Sequence, residues 1–476
     1  MKTPTFRLLA SLALITTTAF GKTIPNYAEA SLVLGQTDFT SRLAPFPPNA
    51  ASLNDPVSVI VDPVTRKVFV AEEGNDRVLR YASADALANG AQAEAVFGQA
   101  LFTTTTTAVT SNQFGGDPES IFLDAKGRLW VPDYGGNRVL RFDLAAIRDS
   151  SPSADRVYGQ PDFTTSTGGA TAAKMSSPYG VCVDSADRLW VADSSNNRVL
   201  RFDSITTKPS GAAADAVLGQ ANFTTNTAGS GSSGLQFPTG VTLSASGTLY
   251  VSCGSGSGNR VMRFDNAAGL GANAPASAVL GQPDFSTISS GTTAAKMSSP
   301  YGAWITPDDS LWVADSGNNR VLRFNNASTK PSGAAADGVL GQPDFTSNLA
   351  AITRRGMSNP YYRPFVDTTG SLWIADGNNN RVLRFSPDAT PPLLAVTAPA
   401  KVTKKPRVTV TGTASDTYGI SKVEYRLGKG PLKLATGTTA WSFKAKLKKG
   451  KNTITVTATD VDGIKSLRKV IKVTRK

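Results

Sequence analysis

Residues 178–202 read PYGVCVDSADRLWVADSSNNRVLRF, and this stretch decides the fold. Val181 and Val183, then Leu189 and Val191, then Val199 and Leu200 are β-formers in short runs, bounded by Gly, Pro, Asp, Asn and Ser. Asp193–Val199 (DSSNNRV) is a polar turn between two apolar runs. Working outward, each part of the stretch returns. Its leading proline stands at 56, 118, 178, 238, 300 and 360, and its LWVAD-like string centres on Phe69, Trp130, Trp190, Tyr250, Trp312 and Trp373. NRVLRF or a variant carries arginines at 77, 138, 198, 260, 320 and 381. A fourth string, V-x-G-Q, ends at Gln36, Gln99, Gln160, Gln220, Gln282 and Gln342. All four recur every 60 to 63 residues, six times, in fixed order.

Each unit is therefore expected to be four strands, which cannot bury both faces alone and must stack on copies of itself. Six copies predict a closed ring, an all-β six-bladed β-propeller. The ends support closure: the first element is a glutamine strand (Ser31–Phe39) and the last an arginine strand ending at Phe385, so the N-terminal strand is expected to complete the last blade. The pattern P-x-G-V-x-V-D … L-W-V-A-D-S-x-N-N-R-V-L-R-F resembles the NHL repeat over residues 31–388, with longer arginine-to-glutamine links, such as Asp203–Ala216, than that repeat usually has. The resemblance implies a binding platform for protein, RNA or glycan. One relative of that family is a histidine-zinc lyase, which a chain without histidine cannot be.

Composition narrows the chemistry. The absence of histidine excludes Ser-His-Asp, Cys-His and His-ligated zinc sites. Lys2 and Arg7, the apolar run Leu8–Ile15 and the small residues near Gly21 read as a signal peptide over 1–21, with no later membrane anchor, so the protein is expected to be secreted, periplasmic or held at the cell surface. Cys182 and Cys253 lie in different repeats, where a bridge would staple neighbouring blades; two buried, unbridged thiols are the favoured reading.

Beyond the linker SPDATPP (386–392) the strings change to PRVTVTGTASD, ISKVEYRLG, WSFKAKLK and NTITVTATD. This predicts a small β-sandwich over 392–476 with Trp441 in its core, resembling bacterial immunoglobulin-like modules. It holds 19 Lys+Arg and 4 Asp+Glu, net +15, which leaves 30 and 32 elsewhere, net −2. Lys444, Lys446 and Lys448 alternate with Phe443, Ala445 and Leu447, so they share a solvent face. They are candidates for contact with an anionic cell-surface polymer, or simply guard an edge and keep the domain soluble. Nucleic acid is disfavoured because few aromatics interleave with the lysines.

Function in a repeat is sought where copies differ. The recurring Asp133, Asp193, Asp315 and Asp376, with Asn137, Asn197, Asn319 and Asn380, are read as satisfying backbone in every blade. By analogy with the family, the proline strands edge the channel, so Val57, Glu119, Tyr179, Thr239, Tyr301 and Tyr361 would ring one mouth beside the irregular Tyr362-Arg363-Pro364. Glu119, Tyr179, Tyr301, Tyr361, Tyr362 and Arg363 are the candidate ligand-binding residues, suited to a sugar ring or a peptide or, on the bland reading, to packing the channel. No catalytic residue, cofactor or metal site is expected. Two alternatives stand beside this non-catalytic binding protein. A calcium-dependent lactonase or esterase needs converging oxygens where the ring offers only one acid, Glu119, and lacks a second carboxylate; a purely architectural envelope or extracellular component needs a filled channel.

Overall fold

The computed structural model describes residues 24–143, 149–254, 258–388, 390–417, 419–461 and 463–476; the expected signal peptide lies outside them. Six four-stranded antiparallel sheets carry residues 32–385. In the third, Pro178–Val183, Leu189–Asp193, Arg198–Phe202 and Ala216–Leu218 lie side by side, with Cys182 opposite Trp190 and Leu200 opposite Val217. These strands are buried almost throughout, because each sheet is covered by a neighbour on both faces. Leu32–Leu34 pairs with Arg381–Phe385 in the last sheet, Val33 opposite Leu383, so the chain's two ends close one blade together.

The recurring polar residues hold blades together. Arg198 is fully buried, pairs with Asp193 at 2.6 Å, and donates to the carbonyls of Thr171 and Lys174 at 2.9 Å. It also donates to Phe223 O, so one guanidinium ties two loops to its own blade. In the third and last blades the second arginine of the string reaches the next blade: Arg201 lies over the Trp190 ring and donates to Ala268 O, and Arg384 donates to Ala84 O in the first. The turn asparagines also bond across blades rather than within their own turn. Asn197 Oδ1 accepts the Phe237 N–H, and Asn380 Oδ1 accepts that of Asp55, closing the ring from sixth blade to first. Each donating residue precedes a proline and has positive φ, between 43° and 53° (Asp55, Asp117, Ser177, Phe237, Ser299, Asn359). That left-handed backbone costs on the order of 1 kcal/mol for a non-glycine residue, and the interblade hydrogen bond holds it in place.

Around the axis the proline strands approach closely. A Cβ on Gly240 would lie 2.8 Å from Gly302 Cα, and one on Gly302 would lie 2.5 Å from the Tyr362 carbonyl carbon. Glycine at these positions lets backbone meet backbone.

Cys182 and Cys253 are both buried and unbridged. In the sandwich, a three-stranded sheet (Leu393–Thr397, Arg407–Ser415, Ala440–Lys446) faces a five-stranded one (Val402–Thr403, Lys469–Arg475, Gly450–Asp460, Ile420–Leu427, Lys433–Leu434). Trp441, Phe443, Val410, Ile454, Val456 and Val473 fill the core between them. Lys444, Lys446 and Lys448 are exposed, and Arg407 pairs opposite Lys446, extending the positive face.

Candidate functional site at the channel mouth

The first strands begin at one mouth of the channel, and three of them place a tyrosine there. Tyr179, Tyr301 and Tyr361 are half-buried around the buried ring of Tyr362. Ring centres of Tyr179, Tyr301 and Tyr361 stand 5.5, 5.4 and 5.5 Å from that of Tyr362. These are the offset and edge-on separations aromatic pairs prefer. Tyr134 and Phe237 extend the cluster, packing on Tyr179 at 5.1 and 5.5 Å.

Tyr362 owes its place to one extra residue. From proline to the strand-ending aspartate, Pro360–Asp367 is one residue longer than Pro178–Asp184, and pairing to Leu372–Asp376 slips between Tyr361 and Phe365. Tyr362, with φ 31°, stands where the third, fourth and fifth blades have Gly180, Gly240 and Gly302. The bulge turns Tyr362 and Arg363 inward.

Arg363 therefore lies inside the channel, 2% exposed, rather than on its rim. It donates to the carbonyls of Ile121 and Val181 across the bore and is flanked by the rings of Phe122 and Trp304, each 5.1 Å away. Burial pulls its basicity down to about 10, so it stays charged at neutral pH. Together Tyr362 and Arg363 fill the channel's centre. At the far ends of the same strands a separate 640 Å³ cavity opens, lined by Val183, Arg188, Leu243, Trp304 and Thr306 among others.

Opposite the tyrosines the mouth is acidic. Glu119 is 1% exposed and feels the charge of Glu73, a residue of the first blade's turn, and the hydroxyl of Tyr362. The expectation that Glu119 lacks a second carboxylate is thus corrected: the turn Glu72–Asp76 (EEGND) brings Glu73 to the mouth from a different strand connection. Burial and the like charge of Glu73 both favour the protonated form of Glu119, the more deeply buried of the two. Burial, with the neighbouring acids, pushes Glu73 up to about 7 and Glu119 well above the usual carboxylate range. Burial and the Asp117 charge raise Asp55 to about 6. Among the described residues none of Asp55, Glu73, Asp117 and Glu119 forms a salt bridge, and three carboxylate oxygens converge within 4.8 Å only at Asp388, Asp416 and Asp460, outside the channel.

Of the residues nominated from sequence, the tyrosines and Glu119 come together, Tyr362 and Arg363 lie beneath them, and Val57 and Thr239 are fully buried. Sequence reasoning missed Glu73, Asp55, Asp117, Tyr134 and Phe237. The available signal was variation between copies: Glu73 stands where other blades have Tyr134, Ser194, Gly254, Ser316 and Gly377.

The NHL repeat profile matches residues 175–202, and a profile described as a bacterial Ig domain matches residues 392–456. No curated protein matches the sequence. Among solved structures, the chain is similar to a virginiamycin B lyase from Staphylococcus aureus (14% identity, 72% of this chain and 88% of that chain, TM-score 0.39). It is also similar to a structural-genomics protein of unknown function from Bacteroides thetaiotaomicron (14%, 74% and 75%, TM-score 0.47). A third is a putative 6-phosphogluconolactonase from Bacteroides uniformis (15%, 71% and 83%, TM-score 0.43). At such identities no ligand or chemistry carries over. The described residues thus form a β-propeller of six four-stranded sheets that carries an NHL repeat at residues 175–202, followed by a bacterial Ig domain at residues 392–456.

Proposed function

We propose that this is an exported, non-catalytic binding protein whose propeller holds a glycan or a protein segment at the tyrosine mouth. One observation carries the reading: a single opening has an aromatic wall (Tyr179, Tyr301, Tyr361) facing carboxyl groups that form no salt bridge among the described residues. Half-buried tyrosines offer flat apolar area at low entropic cost, and the free carboxyl oxygens accept hydrogen bonds from sugar hydroxyls or from amines. The exposed Lys444, Lys446 and Lys448 face of the sandwich supplies a second, salt-sensitive contact with an anionic cell-surface polymer.

The test is a glycan and peptide array probed with the mature protein, the Tyr179→Ala/Tyr301→Ala/Tyr361→Ala variant and a Lys444→Ser/Lys446→Ser/Lys448→Ser variant. Loss of a specific ligand in the tyrosine variant alone is expected. If binding instead vanishes only in the lysine variant and fades with salt, the propeller mouth is not the recognition site.

A further inference from the structure

Between propeller and sandwich the chain brings three carboxylates together. Asp388 lies in the connecting segment, Asp416 follows the strand Arg407–Ser415, and Asp460 ends the strand Gly450–Asp460. Each offers an oxygen within 4.8 Å of the other two; Asp388 and Asp460 are buried and Asp416 is half-buried. Asp416 and Asp460 are two of only four acids in a domain with 19 basic residues, and the third member comes from outside it.

Asp388 makes this more than a patch of acids. It is 5% exposed. Its Oδ1 accepts the N–H and the hydroxyl of Thr390, whereas its Oδ2 is closed off from solvent and has no hydrogen-bond partner. A buried carboxylate oxygen without a donor carries a desolvation cost that a bound cation removes. The partner of Asp460 is in place as well: its Oδ1 accepts the Ile464 N–H at 2.8 Å, fixing that carboxylate's orientation. Hard oxygen ligands of this kind select a hard divalent cation, and an irregular set drawn from three separate segments suits the flexible coordination of calcium better than the strict octahedron of magnesium.

We propose that Asp388, Asp416 and Asp460 form a calcium site that clamps the connecting segment to the end of the sandwich. None of the three was singled out by sequence reasoning as a ligand. Occupancy restrains the segment and so limits the freedom of the basic domain relative to the propeller.

The experiment follows thermal unfolding of the full mature chain, stripped with EDTA and then titrated with calcium or magnesium chloride, with calcium binding measured directly by calorimetry. Calcium should raise the sandwich transition by several degrees in a saturable way, with magnesium weaker. Asp388→Asn should abolish both the shift and the binding heat, yet in EDTA unfold no earlier than the parent, because a like charge has been removed. Asp416→Asn, at the more exposed position, repeats the test should Asp388→Asn fail to fold. The proposal is overturned if calcium neither binds nor shifts the parent. It is equally overturned if the asparagine variants lower the transition alike with and without calcium, which would make Asp388 only a turn residue for Thr390.

Discussion

The fourth blade breaks the polar pattern of the other five, and restoring it should stabilise the protein. Glu72, Asp133, Asp193, Asp315 and Asp376 each pair with the arginine of their blade, but Cys253 stands opposite Arg260. Arg260 is fully buried, donates to Phe285, Gly229 and Gly234 carbonyls, and leaves its Nε without a partner among the described residues. Burial pushes the Cys253 thiol above its usual range, so it stays neutral and offsets none of that charge. The penalty for burying the guanidinium is already present; what is missing is its counter-charge. Breaking a buried pair costs about 3–5 kcal/mol and a charged hydrogen bond contributes about 1.5–3, so Cys253→Asp, nearly the same volume, should add about 2–3 kcal/mol. With unfolding entropy scaling by residue, a propeller of this size gains roughly 3–4 °C in melting temperature. The mirror change, Asp315→Cys, strips Arg320 of its partner and should lower the midpoint by roughly 4–6 °C. Differential scanning calorimetry of both variants decides it. A lower midpoint for Cys253→Asp, or a neutral Asp315→Cys, would refute the claim that this buried pair holds each blade.

Two further perturbations test the ring and its mouth. Gly302→Ala places a methyl 2.5 Å from the Tyr362 carbonyl carbon and should cost on the order of 1–3 kcal/mol by denaturant titration, whereas Gly269→Ala, with open space around it, should cost little. Glu73, raised to about 7 from an ordinary 4.5, makes the folded state bind more protons than the unfolded one between those values. Its stabilising contribution is full below pH 4.5 and lost as pH rises through 7, on the order of 3 kcal/mol at most. Glu73→Gln should flatten the pH–stability profile over that window; an unchanged profile would mean Glu73 is not held beside Glu119 and Asp55.

How much of this was legible beforehand follows from what each feature depends on. Repeat length, strand order and the shared last blade were readable because each is local pattern copied six times: a period, a turn and a β-forming run need no knowledge of the rest of the chain. The sandwich and its lysine face were legible for the same reason, since alternation fixes which side of a strand meets water. The asparagines were read correctly as serving backbone, but not that the donor they accept from is the next blade's amide, 40 residues on, because only ring geometry sets that distance.

The channel could not be read this way. One additional residue in Pro360–Val366 shifts register and turns Tyr362 and Arg363 into the bore, where the even repeat would have placed glycine and valine. Glu73 reaches Glu119 from another blade's turn, and Asp388 meets Asp416 and Asp460 across a domain boundary. The sequence by itself determined the blades, the ring and the charge of the tail, since these follow from periodicity and composition. Only the tertiary structure decided which acids meet at the mouth, which arginine fills the channel and which carboxylates converge, because proximity between distant segments arises from closure of the ring and packing of the linker, and no local pattern encodes it.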